Sequence, residues 1–195
     1  NANPTSQQLE RLLAELEKGK DAIVLASGMS AATATFMTLK SGDHVVAQSV
    51  MYWAIKKWLL DFANQWDVSV DFFDAEDTTS LKKLIRSGET KLVWIETPAN
   101  PTFSCVDIAE VAKIVKGSGA RLCVDSTVAT PILTRPIELG ADVVMHSATK
   151  YLNGHGDVTA GVLITAREDE WWDQIRDIRS SHGKILSPSD TWLLL

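Results

Sequence analysis

Val143-Val144-Met145-His146-Ser147-Ala148-Thr149-Lys150-Tyr151-Leu152-Asn153-Gly154-His155-Gly156-Asp157 is the stretch on which the reading of this chain turns. An apolar, β-branched run of the kind that forms a buried strand breaks into hydroxyls, one lysine and turn-forming residues. Chemistry is expected at that break. A lysine just past a buried strand is expected to be partly desolvated, which disfavours the ammonium form and makes the amine a usable nucleophile or base. Such an amine can condense with a carbonyl cofactor. Ser147 and Thr149 supply hydroxyls on the same turn for the oxygens of a phosphate beside it.

A second strand end completes the pattern. Arg121-Leu122-Cys123-Val124 runs into Asp125-Ser126-Thr127, so an acid stands where an apolar strand stops. A carboxylate there suits a protonated pyridine nitrogen, the device by which proteins tune pyridoxal phosphate (PLP). A crossover of helix length separates the two strands. Both ends are therefore expected on one carboxyl edge of a parallel sheet, where open α/β folds bind ligands.

Outward from these two segments the chain alternates. Leu9, Leu12, Leu13 and Leu16 recur at helical spacing behind Pro4 and a capping-box pattern, Thr5-Ser6-Gln7-Gln8. Residues 21–26 read as a strand, and Ser27-Gly28-Met29-Ser30 turns it into a helix over 31–39. Glycine at such a turn lets backbone amides face an anion at the positive helix end. Residues 44–47 form the next strand, followed by Tyr52 and a helix carrying Trp58, Leu59 and Phe62. Tyr52 serves either as core or as a surface on which a planar ring stacks.

Residues 68–73 and 91–95 read as strands, and 80–85 as a helix with a solvated charged face. In Glu96-Thr97-Pro98-Ala99-Asn100-Pro101-Thr102 the prolines restrict the backbone around Asn100, a turn former or a positioned donor. A helix over 108–115 ends at Gly117-Ser118-Gly119. A strand over 158–165 and an amphipathic helix over 168–179 close the pattern. Strands alternating with helices predict an α/β fold with a mostly parallel sheet.

Bulk properties bound the function. With 195 residues, 45% of them hydrophobic, the chain can bury the core of one globular unit. A net charge of -6 without a basic run argues against nucleic acid or an anionic membrane as partner. No signal peptide opens the chain, and Cys105 and Cys123 make neither a CxxC nor a disulfide framework. Both are expected to be reduced core thiols, and the protein cytoplasmic. The four histidines lack metal-ligand spacing, so no metal is expected.

Ser147-Ala148-Thr149-Lys150 also fits the Ser-x-x-Lys of acylated-serine enzymes, with Lys40-Ser41-Gly42 as a second motif. Those motifs stand in the wrong order, and no Ser-Asp-Asn accompanies them.

Asp125-Ser126-Thr127-Val128-Ala129-Thr130-Pro131, Ser147-Ala148-Thr149-Lys150-Tyr151-Leu152-Asn153-Gly154-His155 and Glu96-Thr97-Pro98-Ala99-Asn100-Pro101-Thr102 together resemble the Cys/Met-metabolism family of PLP enzymes. That family includes cystathionine synthases and lyases, methionine γ-lyase and the homoserine sulfhydrylases, and the resemblance runs over essentially the whole chain. It implies a three-layer sandwich around a mostly parallel seven-stranded sheet, the PLP-binding large domain of the aspartate-aminotransferase type. In it the strand over 158–165 runs antiparallel. Residues 1–195 would be that domain, without the N-terminal arm and C-terminal domain.

The resemblance also implies roles. Lys150 would anchor the cofactor and move the α-proton, Asp125 would face the ring nitrogen, and Tyr52 would stack on the ring and handle protons. Gly28 and Met29 amides, Ser147 and Thr149 would hold the phosphate. Asn100 would meet the ring hydroxyl oxygen, and Thr127 would also line the cofactor.

The implied reaction is γ-elimination or γ-replacement on sulfur amino acids or activated homoserine, of the cystathionine γ-synthase or γ-lyase type. Methionine γ-lyase and O-acylhomoserine sulfhydrylase are the alternatives, and an inactive fragment or a non-catalytic PLP-binding relative is a remote one. A homo-oligomer, commonly a dimer of dimers, is implied. The substrate-carboxylate arginine and further phosphate ligands would lie outside this chain. Where the family usually has Tyr-Gly-Gly-Thr, the chain reads Tyr52-Trp53-Ala54-Ile55, so two large side chains are expected beside the substrate pocket.

Overall fold

Helix α1 (Pro4–Glu17) starts where Asn3 Oδ1 accepts the Thr5 N–H at 2.9 Å, with Pro4 in the first turn. The computed structural model describes residues 3–195. It moves the cap from the expected Thr5-Ser6-Gln7-Gln8 box to Asn3. Pro4 favours that start, because its missing N–H would have had no helical partner anyway.

The helices that follow are α2 (Gly28–Phe36), α3 (Trp53–Trp66), α4 (Thr78–Leu84), α5 (Ile108–Val115), α6 (Thr130–Leu133), α7 (Glu170–Ser181) and α8 (Pro188–Leu193). Between them run β1 (Asp21–Leu25), β2 (His44–Gln48), β3 (Ser69–Phe73), β4 (Thr90–Glu96), β5 (Arg121–Asp125), β6 (Val143–His146) and β7 (Gly161–Thr165), with a 3-10 turn at Pro136–Leu139.

The seven strands form one sheet in the order β1-β7-β6-β5-β4-β2-β3. Only β7 opposes its neighbours; the pairings among β2, β3, β4, β5 and β6 are parallel. Parallel strands need crossovers, which lay helices on both faces and bury both sides of each strand. Alternate residues therefore feed opposite layers. Ile23, Val45, Trp94, Cys123, Val143 and Leu163 pack with α2, α3 and α7. On the reverse face, Val46, Val93, Leu122 and Val124 pack with α4 and α5. Ala22, Val24, Val144 and Ile164 pack there with α1. Each fully buried Val, Leu or Ile in these layers contributes about 1.5–3 kcal/mol.

Two expectations shift. Helix α2 begins at Gly28, not at Ala31, because Ser27 caps it: Ser27 Oγ accepts the Ser30 N–H at 3.0 Å. Cys123 is buried, and burial raises its thiol pKa strongly, whereas Cys105 is exposed in the loop before α5 and is no core thiol. Among the described residues, no helix is long and apolar enough to cross a membrane.

Candidate active site

The carboxyl ends of β1, β2, β4, β5 and β6 open onto one cavity of about 710 Å³. That volume suits a small organic ligand. Its walls include Gly28, Met29, Tyr52, Asn100, Asp125, Thr127, Ser147, Thr149 and Lys150. All nine residues singled out in the sequence thus meet in one place. Glu96, Ile55, Phe103 and Met145 join them.

The first wall is an anion cradle. Ser27 Oγ and Ser27 O accept the N–H groups of Ser30 and Ala31, and the N–H groups of Gly28 and Met29, at the start of α2, have no intrahelical acceptor. Gly28 is glycine for a steric reason. A Cβ there would lie 2.7 Å from both Cβ and Oγ of Ser147. The close approach brings the Ser147 hydroxyl beside the two amides. Gly161 holds the cradle from below, since a Cβ on it would stand 2.1 Å from Ser27 O.

Thr149 lines the same cavity, yet its hydroxyl is already engaged. It accepts the Ala160 N–H at 3.0 Å and donates to Ala160 O at 3.1 Å. With its single proton given to a carbonyl, Thr149 serves to clasp the chain next to Lys150. Ser147 is the better phosphate donor. Lys150 itself is exposed. The desolvation expected from its place after a buried strand is absent, because the strand ends at His146 and the intervening turn carries the side chain out toward the cavity mouth.

The opposite wall is acidic. Asp125 is 5% exposed, and its Oδ1 accepts both the Thr127 hydroxyl at 2.6 Å and the Thr127 N–H at 3.0 Å. The same Thr127 oxygen accepts the Ser147 N–H at 2.8 Å, tying the ends of β5 and β6 together. Burial raises the Asp125 pKa, against the opposing pull of the Thr127 bonds. Its neighbour Glu96 is 4% exposed and is pushed up to about 7, first by burial and then by the charge of Asp125. Neither forms a salt bridge to a lysine or arginine among the described residues. A buried acid in want of a cation favours a protonated ring nitrogen as its partner.

Glu96 is the cavity residue that pattern reasoning passed over. Its signal was present: like Asp125, it is the acid that ends an apolar run, Leu92-Val93-Trp94-Ile95. Tyr52 stands at the start of α3, half-buried, and Asn100 lies exposed in a turn flanked by cis peptide bonds at Thr97-Pro98 and Asn100-Pro101. The two large residues after Tyr52 part company. Ile55 lines the cavity at 2% exposure, whereas Trp53 is 69% exposed and points its bulk elsewhere.

An amide cradle, a buried acid and a lysine on one carboxyl edge of such a sheet are the marks of a fold-type-I PLP enzyme. The chain belongs to the Cys/Met metabolism family of PLP-dependent enzymes, whose family model matches residues 1–195. It is 41% identical over 194 residues to a cystathionine gamma-lyase of Bacillus subtilis (strain 168), covering 100% of this chain and 51% of that protein. It is 40% identical over 195 residues to an L-methionine gamma-lyase of Pseudomonas putida, covering 100% and 49%. The crystal structure of metB from Corynebacterium glutamicum superposes with a TM-score of 0.94 at 36% identity, over 99% of this chain and 50% of that one. The chain thus spans about half the length of these relatives.

The residues present fit the family's cofactor. The Gly28 cradle, which a Cβ would fill, leaves room for a phosphate. Asp125, without a lysine or arginine partner among the described residues, would suit a ring cation, and Lys150 lines the same cavity where an aldehyde would lie.

Proposed function

We propose that the whole protein catalyses γ-elimination or γ-replacement on sulfur amino acids or activated homoserine, as a cystathionine γ-lyase or γ-synthase. The observation that carries this reading is the convergence of Lys150, Asp125 and the Gly28–Ser147 cradle on one cavity. When bound, PLP supplies an electron sink for the carbanion formed at the substrate's α-carbon.

The chain's own residues do the rest. Lys150 would anchor the cofactor through its amine, and the same amine, when free, would take the α-proton and return protons further along the substrate side chain. Thr127 orients Asp125, whose carboxylate would keep the ring nitrogen protonated. Gly28, Met29 and Ser147 would hold the phosphate. Asn100 would serve the ring oxygen, and Tyr52 would lie against the ring and move a proton at the departing or attacking sulfur. Ile55, Val128 and Met145 offer an apolar wall to a thioether chain.

Relatives named cystathionine gamma-lyase, gamma-synthase and beta-lyase lie between 37% and 41% identity. That narrow spread favours no one of these reactions, so the reading rests on the α-proton step common to them. The cytoplasmic homotetramer implied by the family remains part of this proposal.

Borohydride reduction of the full-length PLP-loaded protein, followed by peptide mapping, tests the reading. The adduct is expected on Lys150; an adduct elsewhere, or none, overturns it. Assays on cystathionine, methionine and acylated homoserines, scoring α-keto acid and thiol, then choose among the reactions.

A further inference from the structure

We propose that Glu96 is a positioning residue that sets the spacing of Tyr52 and Asn100 around the cofactor ring, a reading that rests on PLP occupying this cavity. One carboxylate holds two loops. Glu96 Oε2 accepts the Tyr52 N–H at 2.6 Å, and Oε1 accepts the Asn100 N–H at 2.8 Å. The Glu96 N–H donates in turn to Gln48 Oε1 at 3.1 Å, so the end of β2, which leads to Tyr52, is tied to the end of β4 as well.

The side-chain type matters. A carboxylate offers two acceptor oxygens and no donor, so it can take one main-chain N–H from each side. Glutamine has one acceptor oxygen and would turn an NH2 group toward the second N–H. Aspartate keeps both oxygens but is one methylene shorter. The location is costly, since Glu96 is 4% exposed and is the register partner of the buried Asp125. A buried carboxylate beside another is retained here for what it holds, and it holds the two residues assigned to the ring.

The test uses the full-length protein with Glu96→Gln and Glu96→Asp. Backbone hydrogen exchange is measured without cofactor; PLP is then titrated while visible absorbance and circular dichroism are followed. In both variants, exchange at Tyr52 or Asn100 is expected to speed at least about tenfold, and the PLP Kd to rise about tenfold, as loss of a buried charged hydrogen bond entails. The visible dichroism of the bound cofactor is expected to change with them. Should Glu96→Gln not fold, Glu96→Asp carries the same comparison.

Parental exchange, affinity and dichroism in the variants overturn the proposal. Faster exchange with unchanged cofactor binding and dichroism also overturns it, leaving Glu96 a loop tether only. Full restoration by Glu96→Asp assigns the effect to charge and overturns the spacing role. A parent protein that binds no PLP sinks the functional reading itself, and this inference with it.

Discussion

Glu96 and Asp125 are register partners at the carboxyl ends of adjacent parallel strands, two buried carboxylates side by side on one wall of the cavity. Each raises the cost of ionising the other, and the Thr127 hydroxyl donates to Asp125. In the proposed function, a protonated ring nitrogen beside Asp125 would relieve that repulsion.

This pair predicts a pH dependence of stability. Glu96 titrates near 7 in the folded chain against 4.5 when free, so folding favours its protonated form. The contribution is fully present below the free value and is lost as pH rises through about 7. Asp125, also raised, acts in the same sense, while His44, lowered by burial, acts in the opposite one. Comparison of variant with parent isolates the Glu96 part. Between about pH 5 and pH 8, the cofactor-free parent is expected to lose about 2.5 kcal/mol relative to Glu96→Gln, measured by urea unfolding. Parallel pH profiles would refute the assignment.

Lys150→Arg keeps a cation at the cavity but removes the amine that can condense with an aldehyde. Turnover is expected to fall by at least about a thousandfold. PLP is still expected to bind, through the cradle and Asp125, without borohydride-fixed label at position 150. Residual activity within tenfold of the parent would assign the chemistry to another amine.

Gly161→Ala should disturb the cradle from a distance. Its new Cβ would meet Ser27 O at 2.1 Å and Gly28 N at 2.9 Å, so the turn must shift. A loss of about 2–3 kcal/mol in unfolding free energy is expected, together with weaker binding of PLP. Gly28→Ala, against Ser147, is expected to weaken PLP in the same way.

Thr127→Val preserves shape while deleting the hydroxyl shared by Asp125 and the Ser147 N–H. The buried groups left behind cost about 1–3 kcal/mol. Without that donor the Asp125 pKa rises further, so PLP affinity is expected to fall most steeply as pH is lowered. A pH profile of the PLP Kd that follows the parent's would exclude this role for Thr127.

Local pattern carried much of this. The unbroken apolar runs of β5 and β6, and the polar break after each, were legible because both strands are buried on both faces and stop where the cavity opens. The hydroxyls of Ser147 and Thr149 looked alike in sequence. Only the return of the chain at Ala160 gives one a partner and leaves the other to the cavity. Trp53 and Ile55 likewise read as a pair, yet helical rotation sends one into the pocket wall and the other to the surface.

Taken alone, the sequence determined the alternation of strand and helix, the lysine and the acid at two strand ends, and the family. Those are properties of residues close together along the chain. Tertiary structure alone decided that Glu96 stands beside Asp125, that it reaches Tyr52 and Asn100 at once, and that Gly161 must be small. Each depends on which strands are neighbours and in what register, which is settled by packing between segments distant in sequence.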